Sequence, residues 1–168
     1  MNKTMNKTLI LSASVLMLSI GTAYAVHPPD MKEGLWSVHS QSIDNPGNKT
    51  TSGAYTLCRS HAYDQAIRES AKKQKGCAIT NESFQSGKYS SAAHCLVANT
   101  AVDSKTTTTF SNDTSFHTEL HSSYTPALYG VGQMTMIMDQ KYLGSCPAGV
   151  EPGDRINADG TVIHSGKH

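Results

Sequence analysis

The sequence predicts a mainly β protein with one helix: a curved antiparallel meander sheet, or a partly open β-barrel, of about seven strands, the helix inserted after the second strand. Three observations predict it. Short stretches of alternating apolar and polar residues recur between turns rich in Gly, Pro, Asn and Asp, as antiparallel strands require. Only one stretch, near residues 60–73, has helical spacing. Two cysteines, Cys77 and Cys95, stand at the ends of one hairpin-like stretch, CAITNESFQSGKYSSAAHC.

Residues 1–25 read as a leader rather than as part of the fold. Lys3 and Lys7 precede an apolar run, Leu9 to Ile20, and Ala23-Tyr24-Ala25 has the small-x-small form of a cleavage site, with cleavage expected after Ala25. The run is too short and too weakly apolar for a membrane span. Such a leader implies export to the periplasm or secretion, where thiols oxidise, so the four cysteines are expected in disulfides. The remaining chain divides into one β-rich domain, 26–147, and a tail, 148–168, which is polar, lacks periodicity and is expected to be loose. The full chain carries 14 basic and 13 acidic residues with no long basic block, which argues against nucleic acid or an anionic membrane surface as a partner. Oligomeric state is not legible.

Glu33 to Ile43 is the first strand, with Trp36 and Val38 on one face and Ser37 and His39 on the other. Asp44 to Asn48, with Pro46-Gly47, is a turn, and Thr50 to Cys58 returns as a strand rich in Thr and Tyr. Ser60 is the expected N-cap of the helix and Asp64 suits its positive end. Tyr63, Ile67 and Ala71 form a thin apolar stripe, and Lys72, Lys73, Lys75 and Gly76 close the helix. So thin a stripe fits a helix lying on the edge or mouth of a sheet.

The hairpin follows. A three-residue loop, Gln85-Ser86-Gly87, puts Phe84 opposite Lys88 and therefore Cys77 opposite Cys95. One face then carries Cys77, Ile79, Tyr89, Ala93, Cys95 and Val97, and the other Glu82, Phe84, Lys88 and His94. Four cysteines allow three pairings. The hairpin favours Cys77–Cys95, leaving Cys58–Cys146; Cys58–Cys77, which would clamp the helix ends, is the main rival. Lys105 to Phe110 and Ser115 to Ser122 form another hairpin around Asn112-Asp113. After a bend from Tyr124 to Gly130, Val131 to Leu143 is the last strand, with Met134, Met136, Met138 and Tyr142 on one face.

These pieces in this order resemble a bacterial domain-of-unknown-function family numbered 3617: Glu33-Gly34-Leu35-Trp36, Cys58 before a short helix, Cys77, Cys95, the run Met134 to Met138, and Tyr142 to Pro147. The resemblance covers residues 31–147 and implies an exported, disulfide-containing, sheet-rich protein; it implies no catalytic residues. Gly34-Leu35-Trp36 also matches the G-x-W that opens lipocalin barrels, a three-residue likeness.

For chemistry, His117-x-Glu119-x-His121 puts three ligand-type side chains on one strand face, but Phe116 and Leu120 take the other, so the His face is expected to meet solvent and no metal is assigned. The Met134, Met136 and Met138 stripe fits adaptable packing first, the lining of an apolar cavity second, with Trp36 and Tyr89 as further candidate lining residues, and soft ligands for Cu(I) third, though the tract is isolated from other Met or His. There is no G-x-S-x-G, phosphate loop, H-E-x-x-H or C-x-x-C. The expectation is a non-enzymatic protein without cofactor, binding a small apolar ligand or an envelope protein. A structural module with a filled interior is the alternative, and a metal binder the third reading.

Overall fold

The computed structural model describes residues 26–165; the expected leader, 1–25, lies outside them. The chain forms β1 (Gly34–Asn45), β2 (Lys49–Arg59), α1 (His61–Lys73), β3 (Cys77–Gln85), β4 (Lys88–Val97), β5 (Thr100–Asn112), β6 (Ser115–Leu128), β7 (Val131–Gly144), β8 (Arg155–Asn157) and β9 (Val162–Ile163). All nine strands join one open antiparallel sheet in the order β3-β4-β5-β6-β7-β1-β2-β8-β9. The predicted mainly β class, the meander and the helix after the second strand are all present. The seven expected strands are the long ones, β1 to β7.

Topology forces the sheet to curl. Flat, it would hold β2 and β3 roughly 29 Å apart, at about 4.8 Å per strand. Arg59 is at the Gly34 end of the ladder, whereas Cys77 is in the row just beyond Asn45, a further ~40 Å along the strands of a flat sheet. The 13-residue helix covers about 20 Å. Ser60 and Gln74 to Gly76 add at most about 14 Å. The connection therefore reaches only if the sheet twists and coils, so that β2 and β3 swing toward each other and the offset along the strands shortens. α1 runs back along the open side that remains. It starts as predicted: Ser60 caps it by accepting from the Tyr63 N–H at 3.1 Å, and Asp64 lies in its first turn. None of its residues is buried.

The inner face of the curl is the one carrying Trp36 and Val38, which are 0% and 1% exposed. The core sits at one end of it. Met31, Trp36 and Phe116 are buried together, with Phe110 and Tyr142 against them. Trp36 donates its indole N–H to the Lys32 carbonyl at 2.9 Å. Arg59 stacks over the Trp36 and Phe116 rings at 5.0 Å from each centroid and holds Asp64 through two hydrogen bonds of 3.0 and 2.9 Å. Gly34 is required beside this cluster: its φ is +138°, and a Cβ would collide with the Gly144 carbonyl oxygen.

Four expectations need correction. The β3–β4 loop has two residues, not three. Gln85 faces Lys88, and Ser86 and Gly87 both have positive φ, 50° and 73°, as the type I′ turn of a tight hairpin demands. Cys77 still faces Cys95 because a bulge at Thr80 absorbs the extra residue. Phe84 and Glu82 consequently share the face of Ile79 and Tyr89 rather than opposing it. The bend placed at Tyr124 to Gly130 is mostly strand, since β6 runs on to Leu128, and β5 begins at Thr100 rather than Lys105. The tail expected to be loose is docked. β8 pairs with Tyr55 to Leu57 of β2, and β9 pairs with β8. The Asp154 carboxylate, 2% exposed, accepts from the Glu151 and Ser165 N–H groups at 2.9 and 3.1 Å and contacts His164 Nδ1 at 2.8 Å. One buried, fully satisfied carboxylate thus organises a segment with no apolar periodicity.

Both disulfides follow the favoured pairing: Cys58–Cys146 and Cys77–Cys95, with no free cysteine among the described residues.

Candidate functional site

Beyond the aromatic cluster, the inner face changes character. Three successive rows cross it. The first reads Ser40, Met138, Thr118, Thr108, Tyr89, Phe84; the second Ser42, Met136, Leu120, Thr106, Ser91, Glu82; the third Asp44, Met134, Ser122, Ser104, Ala93, Ile79. The predicted methionine stripe therefore forms a spine down the middle of the curl, flanked by hydroxyls. The three methionines are partly buried, not enclosed. Thr108 and Thr118 are hydrogen-bonded across the ladder at 3.0 Å, and Met138 and Met134 sulfurs face the Gln140 amide and Tyr124 hydroxyl at 3.0 and 3.9 Å.

Where this face meets the helix, a cleft of about 660 Å³ opens. The lead-in Val26 to Asp30 forms one wall, the Gln65, Arg68, Glu69 and Lys72 side of α1 another, and Ile79, Glu82, Tyr89 and Ser91 the floor. Its size falls within the roughly 300–1,000 Å³ usual for small-ligand sites. Tyr89 donates its hydroxyl to Glu82, and Lys72 Nζ lies 3.3 Å from the other Glu82 oxygen. Burial, followed by the Glu82 hydrogen bond, pushes the Tyr89 hydroxyl up to about 12, so it remains a neutral donor. The same hydrogen bond, helped by Lys72, holds the Glu82 carboxyl below its ordinary range.

Of the candidate lining residues, Tyr89 is in the cleft, and Met134, Met136 and Met138 are on the inner face beyond it. Trp36 is not a lining residue: it is fully buried in the core. Sequence reasoning missed Glu82, because the assumed three-residue loop turned it outward; a Ser-Gly two-residue turn would have placed it beside Tyr89. It also missed Arg59 and Arg68. Arg68 has the same helix-face spacing as Gln65 and Lys72, at i and i+3 or i+4, but the opposite wall of the cleft is non-local.

The histidine row lies on the outer face. His117 Nδ1 is 2.7 Å from Asp139, and His117 Nε2 is 3.3 Å from Glu119. His121 Nδ1 is 3.2 Å from the Thr135 hydroxyl. The Asp139 hydrogen bond raises the His117 imidazole above its ordinary value. Among the described residues, no three His, Cys, Asp or Glu side chains gather as a metal site needs. No described helix is long and apolar enough to cross a membrane.

No curated protein matches the chain. A family model described as "Protein of unknown function (DUF3617)" matches residues 31–146, most of the chain and all of β1 to β7, and the chain belongs to that family.

Proposed function

We propose that the protein is exported and acts without catalysis, holding a small ligand with an apolar body in the curl of the sheet. The observation that carries this reading is the contrast within one face. Trp36 and Phe116, with Phe110 and Tyr142 packed against them, bury one end, while the methionine spine and the cleft beside α1 stay partly open. A sheet face of this size that buries its apolar residues only at one end leaves an apolar surface for something else. Methionine suits that surface because its flexible, polarisable side chain adapts to irregular partners.

Two disulfides support an oxidising compartment, and with it export. Pairing of all four cysteines leaves no thiol for nucleophilic or redox chemistry.

The test is native mass spectrometry of the full chain, expressed with its leader and purified from a periplasmic extract. A retained mass of a few hundred daltons, lost on organic extraction, is expected. A bare protein that also fails to take up an apolar fluorescent probe defeats the reading and favours an interaction module with no small ligand.

A further inference from the structure

In the wall of the cleft beside α1, the Arg68 side chain is felt by Glu69 and Tyr89 only at longer range and makes no close ion pair among the described residues. Lys72 is committed to Glu82, which also takes the Tyr89 hydroxyl. Glu69 is shared by Lys73 at 3.6 Å and the Gln65 amide at 2.9 Å. Arg68, half-buried in the wall between them, has no ion pair or side-chain hydrogen bond among the described residues. A guanidinium in that position has five donors and no acceptor of its own, and it favours planar, bidentate acceptors. The surfaces beside it are apolar: Ile79, the Tyr89 ring, Ala71 and the Pro28-Pro29 pair. The remaining rim carboxylate, Asp30, is exposed to water.

We propose that this cleft binds amphipathic carboxylates, with the carboxylate paired to Arg68 and the hydrocarbon lying on Ile79, Tyr89 and the prolines toward the methionine spine. The assignment rests on the reading of the curl as a ligand site and names the class of ligand. Asp30 and Glu69 near the head site disfavour dianionic heads, so a single-charge carboxylate fits better than a phosphate monoester. The lead-in Val26 to Asp30 forms the outer wall, so the bound chain is covered on both sides.

The experiment uses an 18-carbon conjugated polyene acid, fluorescent when bound, and the corresponding primary alcohol, titrated into the full mature chain and into Arg68→Gln and Arg68→Lys. Circular dichroism checks that each variant is folded; Arg68 is on the surface of a helix, and Gln is a good helix former. The expected result has four parts: the acid binds the wild type at least tenfold more tightly than the alcohol does, Arg68→Gln loses that preference, Arg68→Lys keeps part of it, and alcohol binding changes far less across the three than acid binding does. Equal binding of acid and alcohol to the wild type overturns the head-group assignment and leaves the apolar site standing. So does an acid preference that survives Arg68→Gln. Failure of both probes to bind overturns the apolar site as well.

Discussion

At the Trp36 end of the sheet, Trp36, Phe116, Phe110, Tyr142 and the stacked Arg59 fill the curl, and Cys58–Cys146 ties the end of β2 to the segment after β7. At the Met134 end, the same face carries methionines, serines and threonines, and Cys77–Cys95 pins only a local hairpin. Ile79 and Val97 face inward there yet are 37 and 43% exposed. The difference shows a division of labour along one sheet. Large rigid aromatics bury enough area to hold the fold at one end. The other end is free to stay under-filled, which is the condition for a site.

The largest effects should come from opening the disulfides. Cys58–Cys146 closes a separation of 88 residues and Cys77–Cys95 one of 18. The chain-entropy relation puts these at about 4.6 and about 3 kcal/mol. Replacing Cys58 and Cys146 together with Ala should therefore lower the melting temperature more than the same change at Cys77 and Cys95. The gap should widen because Cys58 is buried at 1% exposure. Equal losses, measured by thermal denaturation, would break the contrast between the two ends.

Side-chain truncation sharpens it. Trp36→Ala should cost about 3–5 kcal/mol, as for other buried aromatics. Met136→Ala should cost well under the roughly 2–5 kcal/mol of a fully buried Met, because its side chain is only partly covered. Urea denaturation of both variants decides; comparable losses would mean that the Met134 end is packed like the aromatic end.

The docked C-terminal segment should respond to acid. The Glu151 N–H, with His164 and the Ser165 N–H, holds the Asp154 carboxyl below its ordinary 3.8, against the effect of burial. A carboxyl with a lowered folded pKa contributes stability that is complete above the unfolded value and lost as pH falls through the folded one. Protease cleavage in 155–163 should therefore be slow at pH 5 and rise below about pH 4. Asp154→Asn should show the fast cleavage already at pH 7.

The smallest effect is expected on the outer face. His117, raised chiefly by its hydrogen bond to Asp139, contributes most below 6.5, and its contribution is lost as pH rises through its raised value. Its side chain is 40% exposed, so the His117→Asn, His121→Asn double variant should change stability by only a few tenths of a kcal/mol. Denaturation at pH 5.5 and 8.5 checks this; a loss of bound zinc or copper in the variant would instead reveal a metal site on this face.

Much of the fold was legible because its signals are local. Alternation with period two marks a strand from its own residues, as in the Met134, Met136, Met138 run, and Ser60 followed by Asp64 and a lysine cluster marks a helix from end to end. Cys77 and Cys95 pair as expected, but from a three-residue loop that does not form; the bulge at Thr80 offsets the shorter turn and restores the same partners. What the tertiary structure decided were the features that depend on a distant neighbour. The bulge at Thr80 is invisible in β3 alone: a two-residue turn and a cross-strand cystine cannot both be met without one extra residue, and packing chooses where it goes. The docking of 155–163 depends on β2 leaving its Tyr55 to Leu57 edge unpaired and on a buried pocket for Asp154. The cleft beside α1 exists only because a helix too short to cross a flat sheet draws β2 and β3 together, bringing Arg68 opposite Tyr89. Residue patterns report which way a side chain faces along its own strand, but they carry no information about what stands across the gap.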